Sequence, residues 1–521
     1  MLRRVGDLVV LETPLKTKSH PSAPRRPFWS SDVAILLYIA LATVLAHVLT
    51  GGRYGFHRDE LATLDDARHL DWGFVAYPPI TPLFARLSLI LFGTSLAGFR
   101  FFAALVQAAA VVLTGLMTKE LGGRRGAQLV AVFSTIPFCL GAGALMQYVS
   151  FDYFFWVLAA YFVLRLLNSE DPRWCLAIGA AIGLGMQTKY TMGFCALGIT
   201  AGLLFTGSRR YLRSKWLWLG VALSFLVLLP NLLWQVRHDF ISLDFLNYIH
   251  ARDVRWGRAK NFLPEQLKMA LLACPLWIAG LYFCLLSPNG KRLRMIGWMY
   301  VVPLVLFTAA KGRGYYLAPA YPMLYAAGSV WGEQWLESLH ASRAKLVKVL
   351  VWAALLTDVV LASAVTLRLG PVNSALWQFA TRIDREQQEE LGWPELVETV
   401  AKTRDKLPAE DRAQLGILAG NYGEAGAVNL YGPQYGLPTA ISGTNSFWLR
   451  GYGDPPPQTL IVLGMPQKFV EENFAACELA AHSWNRYNVP NEETMQHPDI
   501  YVCRNLKQPW PEFWRYFRRF G

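Results

Sequence analysis

Two adjacent carboxylates, Asp59 and Glu60, stand just past the first long apolar run, in Tyr54-Gly55-Phe56-His57-Arg58-Asp59-Glu60-Leu61. Charge is costly to bury at a membrane boundary, so a pair of acids there suits general-base work on a hydroxyl, worth about 10²–10⁴-fold in rate. A third acid, Asp152, sits among aromatics in Tyr148-Val149-Ser150-Phe151-Asp152-Tyr153-Phe154-Phe155-Trp156. Facing lipid it would cost roughly 2.5–3.5 kcal/mol, so it must look into a polar cavity or at a cation. The candidate cations are Lys189, flanked by apolar segments on both sides, Lys311 and Arg313 in Lys311-Gly312-Arg313-Gly314-Tyr315-Tyr316, Arg255 and Arg258 in the long loop 236–264, and Arg58 beside the acidic pair. Plainer roles stay open for each. Asp59 and Glu60 suit a helix N-terminus as caps, Asp152 suits a structural ion pair, and Lys189 is long enough to snorkel to the interface.

The elements that must position these residues are apolar helices. The chain has 521 residues, 53% of them hydrophobic and 17% charged, with a mean hydropathy of +0.25 and 19 Trp, 22 Tyr and 29 Phe. That is too little charge for a soluble enzyme of this length and rich in the aromatics of membrane interfaces. Eleven runs, near 32–50, 96–118, 127–147, 153–167, 174–187, 191–207, 216–235, 266–287, 295–310, 315–333 and 346–368, approach the roughly 20 residues a bilayer requires. Basic residues cluster in the N-terminal tail and then in every second loop: Lys119, Arg124 and Arg125; Arg173; Arg209, Arg210, Arg213 and Lys215; Lys291, Arg292 and Arg294; Arg343, Lys345 and Lys348. The positive-inside rule assigns these to the cytoplasm. Asp59, Glu60, Asp152, Lys189, loop 236–264 and Lys311 then all lie outside. No cleavable signal peptide is read in the first 30 residues, which lack an apolar core.

Beyond residue 370 the composition changes. Residues 371–521 carry 14 Lys/Arg against 18 Asp/Glu, whereas the whole chain is +13. The basic excess therefore belongs to the membrane half, where it suits anionic lipid and phosphate. Three domains are expected: a cytoplasmic tail over 1–31, a membrane domain over 32–370, and a small soluble α/β domain over 371–521. In the last, the runs at 415–418, 460–463 and 500–502 read as buried strands, and 383–403 and 468–481 as helices. Cys477 and Cys503 are its only cysteines, and their pairing is open. Trp510, Phe513, Trp514, Phe517 and Phe520 suit either the outer leaflet or packing on their own domain. No phosphate loop, repeat or nucleic-acid patch is present.

External acids beside external cations suit glycosyl transfer from a polyprenyl-phosphate sugar. The leaving group is already a good anion, so cations need only stabilise its growing charge. One carboxylate takes the proton of the acceptor hydroxyl, and a single base without a covalent intermediate inverts the anomeric centre. Two other readings remain: a lipid or solute transporter, and a polysaccharide ligase or polymerase using a diphosphate-linked donor. Internal repeats and midplane charge would favour the transporter.

In order along the chain, Asp59-Glu60, Tyr77-Pro78-Pro79, Asp152, Thr188-Lys189-Tyr190 and the stretch from Lys311 to Tyr321-Pro322 resemble the GT-C membrane glycosyltransferases. Within these they resemble the family 39-like group of protein O-mannosyltransferases and the lipid A aminoarabinose transferase. The resemblance covers about 30–335. It implies Asp59 as catalytic base, Glu60 and Asp152 shaping the acceptor and donor site, and Lys189 and Lys311 holding the donor phosphate; by charge and placement alone, Arg313, Arg58, Arg255 and Arg258 are expected near that phosphate as well. Tyr77, Tyr190, Tyr315 and Tyr316 are expected to line the substrate. Relatives often read His-Pro-Asp-Glu where this chain has His57-Arg58-Asp59-Glu60. The implied partners are a polyprenyl-phosphate sugar, a lipid, glycan or protein acceptor and membrane lipid, with no nucleic acid. The implied location is a bacterial inner membrane. The sequence assigns no cofactor and leaves a divalent metal open, although His57, His69, His238 and His250 are not spaced as ligands.

Overall fold

The computed structural model describes residues 28–521; the basic tail up to residue 27 lies outside the described residues. Helices come first. In chain order they are α1 (Asp32–Thr50), α2 (Arg58–Arg68), α3 (Ile80–Phe92), α4 (Leu96–Phe99), α5 (Phe101–Glu120), α6 (Arg125–Ala142), α7 (Tyr148–Ser169), α8 (Trp174–Met186), α9 (Met192–Phe205), α10 (Lys215–Arg237), α11 (Ile241–Arg255), α12 (Phe262–Ala270), α13 (Cys274–Leu285), α14 (Arg294–Ala309), α15 (Tyr321–Glu337) and α16 (Ala341–Thr366). Eight segments are long and apolar enough to cross a membrane: α1, α5, α6, α7, α10, Phe262–Leu285, Pro288–Ala309 and α16. The other three runs read from the sequence also fall on helices. α8 and α9 are shorter apolar helices, and α15, with 17 residues, lies in the apolar core. The glycines of α8 have a packing reason. A Cβ on Gly179 would stand 2.0 Å from the Gly220 carbonyl oxygen, so α8 and α10 meet backbone to backbone.

Loops gather at two ends of the bundle. At one end ion pairs join Arg125 to Asp32 (2.7 Å), Arg165 to Glu120 (2.9 Å) and Arg210 to Glu170 (2.9 Å). At the other end lie α2, α3 and the segments around 143–147, 187–191, 238–261 and 310–320. There Gln187 O accepts from Ile80 N–H (3.0 Å) and Trp72 O from Asn231 (2.9 Å).

The chain after α16 forms α17 (Ala375–Ile383), α18 (Trp393–Asp405), α19 (Ala409–Ala413), α20 (Tyr422–Tyr431) and a five-stranded sheet. Its strands are β1 (Leu415–Ala419), β2 (Ala440–Ser442), β3 (Thr459–Leu463), β4 (Phe474–His482) and β5 (Asp499–Leu506), in the order β2-β1-β3-β5-β4. β1 runs parallel to β2 and β3, and β5 antiparallel to β3 and β4. The three predicted strands are β1, β3 and β5. The predicted helix over 468–481 is corrected: it spans only Gln467–Asn473 and the chain then turns into β4. Cys477 and Cys503 face each other across β4 and β5 and are disulfide-bonded. Phe513, Trp514 and Phe517 pack onto the sheet with Leu418 and Val462. One apolar cluster joins the halves, running from Leu61 and Leu64 of α2 and Phe151 of α7 to Ile417, Val428 and Ile461.

Candidate active site

α2 starts with a capping box. His57 Nδ1 accepts from Asp59 N–H (3.1 Å), and Glu60 Oε2 accepts from His57 N–H (3.0 Å). The two acids then part. Glu60 is fully buried and receives Arg100 Nε and Nη2 (2.9 and 2.6 Å) and Met146 N–H (2.9 Å). Burial alone would raise its pKa, but the charge and hydrogen bonds of Arg100, with the two backbone N–H groups, hold it below the usual carboxylate range. Arg100 also reaches Glu390 (3.3 Å), which Arg368 clasps from its other side. Glu60 is thus placed in a buried four-charge strut rather than in an open site. Asp59 points the other way with 41% of its side chain exposed. Its Oδ1 accepts from Tyr422 Oη (2.8 Å) and its Oδ2 from Gln147 Nε2 (3.1 Å).

The Gln147 that touches Asp59 leads into α7, and the next residues reach the cations. Lys189 lies in the turn between α8 and α9 with Nζ 3.9 Å from the ring centre of Tyr316, 5.0 Å from Tyr148 and 5.1 Å from Tyr315. These quadrupoles attract an ammonium. Burial pulls Lys189 below the ordinary lysine range; the charge of Asp152 opposes this and that of Arg313 adds to it. Asp152 follows Tyr148 by one turn on the same face of α7, and its Oδ2 accepts from Thr191 Oγ1 (3.2 Å). Arg313 donates to Asp253 Oδ2 (2.5 Å), a carboxylate that Arg258 (3.4 Å) and Arg252 (3.6 Å) also face. Three guanidiniums on one carboxylate leave a positive surplus. The loop carrying Arg313 is held by Glu265, which accepts from Gly314 N–H (3.0 Å), and by Gln266, which donates to Gly314 O (3.0 Å).

The remaining predicted residues divide. Tyr315 and Tyr316 line the lysine cage. Lys311 is exposed at φ 50° and Arg255 is exposed, neither with an ion pair among the described residues. Arg58 pairs with Glu492 and covers the Tyr422 ring at 5.9 Å. Tyr77 donates to Asp66 (2.7 Å), and Tyr190 donates to Asn231 (2.9 Å), so their hydroxyls serve internal bonds. Sequence reasoning passed over Gln147 and Tyr422 as site residues. Tyr422 lies in Asn421-Tyr422-Gly423-Glu424-Ala425-Gly426, where Asn and Gly suggest only a tight loop. Among the described residues no three His, Cys, Asp or Glu side chains converge as a metal site. A separate cavity of about 530 Å³ opens at the far end of α2 beside His69, Arg450 and Tyr452; neither Asp59 nor Lys189 lines it.

Known proteins bear on this arrangement at two levels. Residues 76–234 match the dolichyl-phosphate-mannose-protein mannosyltransferase family. The structure aligns with that of ArnT from Cupriavidus metallidurans bound to undecaprenyl phosphate over 90% of this chain and 97% of the other, with TM-score 0.55 and 16% identity. The chain has the GT-C fold. A further alignment, to the oligosaccharyltransferase AglB from Archaeoglobus fulgidus, has TM-score 0.50 at 12% identity and covers 84% of this chain and 69% of that one. In sequence the chain is 25% identical over 282 residues to the lipid A galacturonosyltransferase RgtD of Rhizobium johnstonii. That match spans 51% of this chain and 57% of the relative's length. On the GT-C scaffold described here, an exposed, doubly hydrogen-bonded carboxylate and a caged lysine backed by arginines share one end of the bundle.

Proposed function

We propose that the protein transfers a sugar from a polyprenyl-phosphate carrier to an acceptor hydroxyl on the extracytoplasmic face of a bacterial inner membrane. The observation that carries this reading is the pairing of Asp59, open to substrate, with the cationic cluster of Lys189 and Arg313, linked through Gln147 and Tyr148 at the head of α7. Asp59 takes the acceptor proton as the acceptor oxygen attacks the anomeric carbon. The bond from that carbon to the phosphate oxygen breaks, its electron pair stays on the phosphate, and the configuration inverts. Lys189 and Arg313 stabilise the departing phosphate. The charge of Asp152 favours the charged form of Lys189. Residues 32–370 supply the catalytic membrane unit and 371–521 an external domain, with the N-terminus cytoplasmic. The disulfide of that domain supports an oxidising compartment. The names of the relatives favour a glycolipid or glycoprotein acceptor, and the RgtD match favours a lipid A-like one.

The experiment uses purified full-length protein in nanodiscs with undecaprenyl-phosphate-linked galacturonic acid or mannose, each radiolabelled, and lipid A as acceptor. The expected result is transfer from at least one donor and its loss in Asp59→Asn. No transfer from any carrier-linked sugar, or carrier flux across the bilayer without transfer, overturns the proposal.

A further inference from the structure

The group that orients Asp59 comes from the far end of the sequence. Tyr422 opens α20 in the C-terminal domain, 363 positions from Asp59, and its hydroxyl lies 2.8 Å from Asp59 Oδ1. The approach is built into the packing. A Cβ on Gly426 would stand 2.7 Å from the Leu61 carbonyl oxygen, and one on Gly423 would stand 2.9 Å from Arg58 Cβ. Only glycine at both positions lets α20 press against the first turns of α2. Two clamps hold that contact: Arg450 bridges Asp65 and Asp66 of α2, and Asn429 of α20 donates to Asp65 (2.7 Å). An ionised carboxylate has about four lone-pair directions. Tyr422 and Gln147 occupy one on each oxygen and leave the others for an incoming hydroxyl.

We propose that the C-terminal domain completes the active site, with Tyr422 as the positioning residue that fixes the Asp59 carboxylate toward the acceptor. This deepens the transfer reading above and rests on it for its kinetic consequence. Tyr422 stays a donor throughout the working range, because burial, and then the charge of Asp59, raise its pKa. Other charged or titratable groups also face Asp59: His57 and Arg58 from its own helix start (both 3.9 Å), Glu389 from the turn Arg385–Glu390, and Tyr77 and Tyr148. Tyr422 is distinct among them in holding an Asp59 side-chain oxygen by a hydroxyl carried on a different domain.

The test compares Tyr422→Phe, Tyr422→Ala and the exposed control Tyr516→Phe in the full chain. One readout is transfer, resolved into kcat and donor KM. The other needs no activity: the extent of carbodiimide modification of Asp59 at a fixed pH, followed by peptide mass spectrometry. For Tyr422→Phe the expected kcat falls on the order of 10- to 100-fold from misplacement of the base, with donor KM unchanged. Modification of Asp59 rises, because the oxygen that Tyr422 holds is freed. The control leaves all of these in place. If Tyr422→Phe keeps wild-type kcat and modification and only Tyr422→Ala loses activity, Tyr422 is a packing residue and the proposal fails. If modification rises but wild type transfers from no donor, the positioning stands and the functional reading fails.

Discussion

Asp59 and Glu60 are chemically alike neighbours with opposite surroundings, and the difference lies in who donates to them. Asp59 has two donors and open solvent; Glu60 has Arg100, two backbone N–H groups and no exposure. Asp59→Asn is therefore expected to lower kcat by about 10²–10⁴-fold while donor binding, read by filter retention of a labelled carrier, is unchanged. Lys189→Gln is expected to do the reverse. Losing one charge-assisted contact to phosphate raises donor KM on the order of 10-fold or more, with a smaller loss in kcat. Glu60→Gln leaves Arg100 half-paired in the core and costs about 3–5 kcal/mol, seen as a lower thermal unfolding midpoint in detergent. The sign of the pH effect follows from its depressed pKa. The stabilisation from Glu60 is complete above the ordinary Glu value of 4.5 and is lost as pH falls through the lower folded-state value. Wild type should lose stability across that acid window, and Glu60→Gln should lose less of it.

At the scale of elements, α2 is the part on which the site turns, since its first turn carries Asp59 and its later turns carry the clamp to the C-terminal domain. Arg450→Ala strips the partner from Asp65 and Asp66, both buried. The expected result is a loss of about 3–5 kcal/mol of docking, read as faster hydrogen exchange in α2 and α20 with the membrane helices unchanged. Much of α2 was legible in the sequence: Leu61, Leu64 and Ala67 recur at helical spacing and are all buried. The apolar runs were equally legible, because a span declares itself by length and composition alone. β4 was not. Ala475, Ala476, Glu478, Leu479, Ala480 and Ala481 favour a helix locally, and what makes them a strand is pairing with β5 and the cross-strand disulfide, both non-local. The same limit hid Tyr422. The Asn and Gly residues around it read as a tight loop, whereas Asn421 caps α20, and nothing near it in sequence announces a carboxylate 363 positions away. Lys311 and Arg255 illustrate the converse. Charge type and loop placement nominated them; both side chains are exposed and Lys311 sits at φ 50°, and no local pattern could have told this from engagement with a ligand.

For the whole molecule the argument rests on sidedness. Asp59, Gln147, Lys189, Asp253 and Arg313 come from segments far apart in the chain, yet direct contacts and ring packing gather them at one end of the bundle. Basic loops with residues such as Arg124, Arg210 and Lys291 occupy the other end. The positive-inside rule places the basic end of such a protein in the cytoplasm; in the proposed orientation the site and its disulfide-bonded domain lie beyond the reach of nucleotide-sugar donors, as the proposed carrier-lipid donor requires. Four of the five free cysteines are buried and Cys274 is half-buried, so single exposed cysteines report sidedness against a low background. Glu471→Cys, in the C-terminal domain, and Lys291→Cys, in a basic loop, are both at exposed positions. With a membrane-impermeant maleimide, position 471 is expected to label in intact spheroplasts and position 291 only after the membrane is opened. The opposite pattern would place Asp59 in the cytosol, where a polyprenyl carrier has no advantage over a soluble donor, and transfer on the extracytoplasmic face would have to be abandoned even with the fold unchanged.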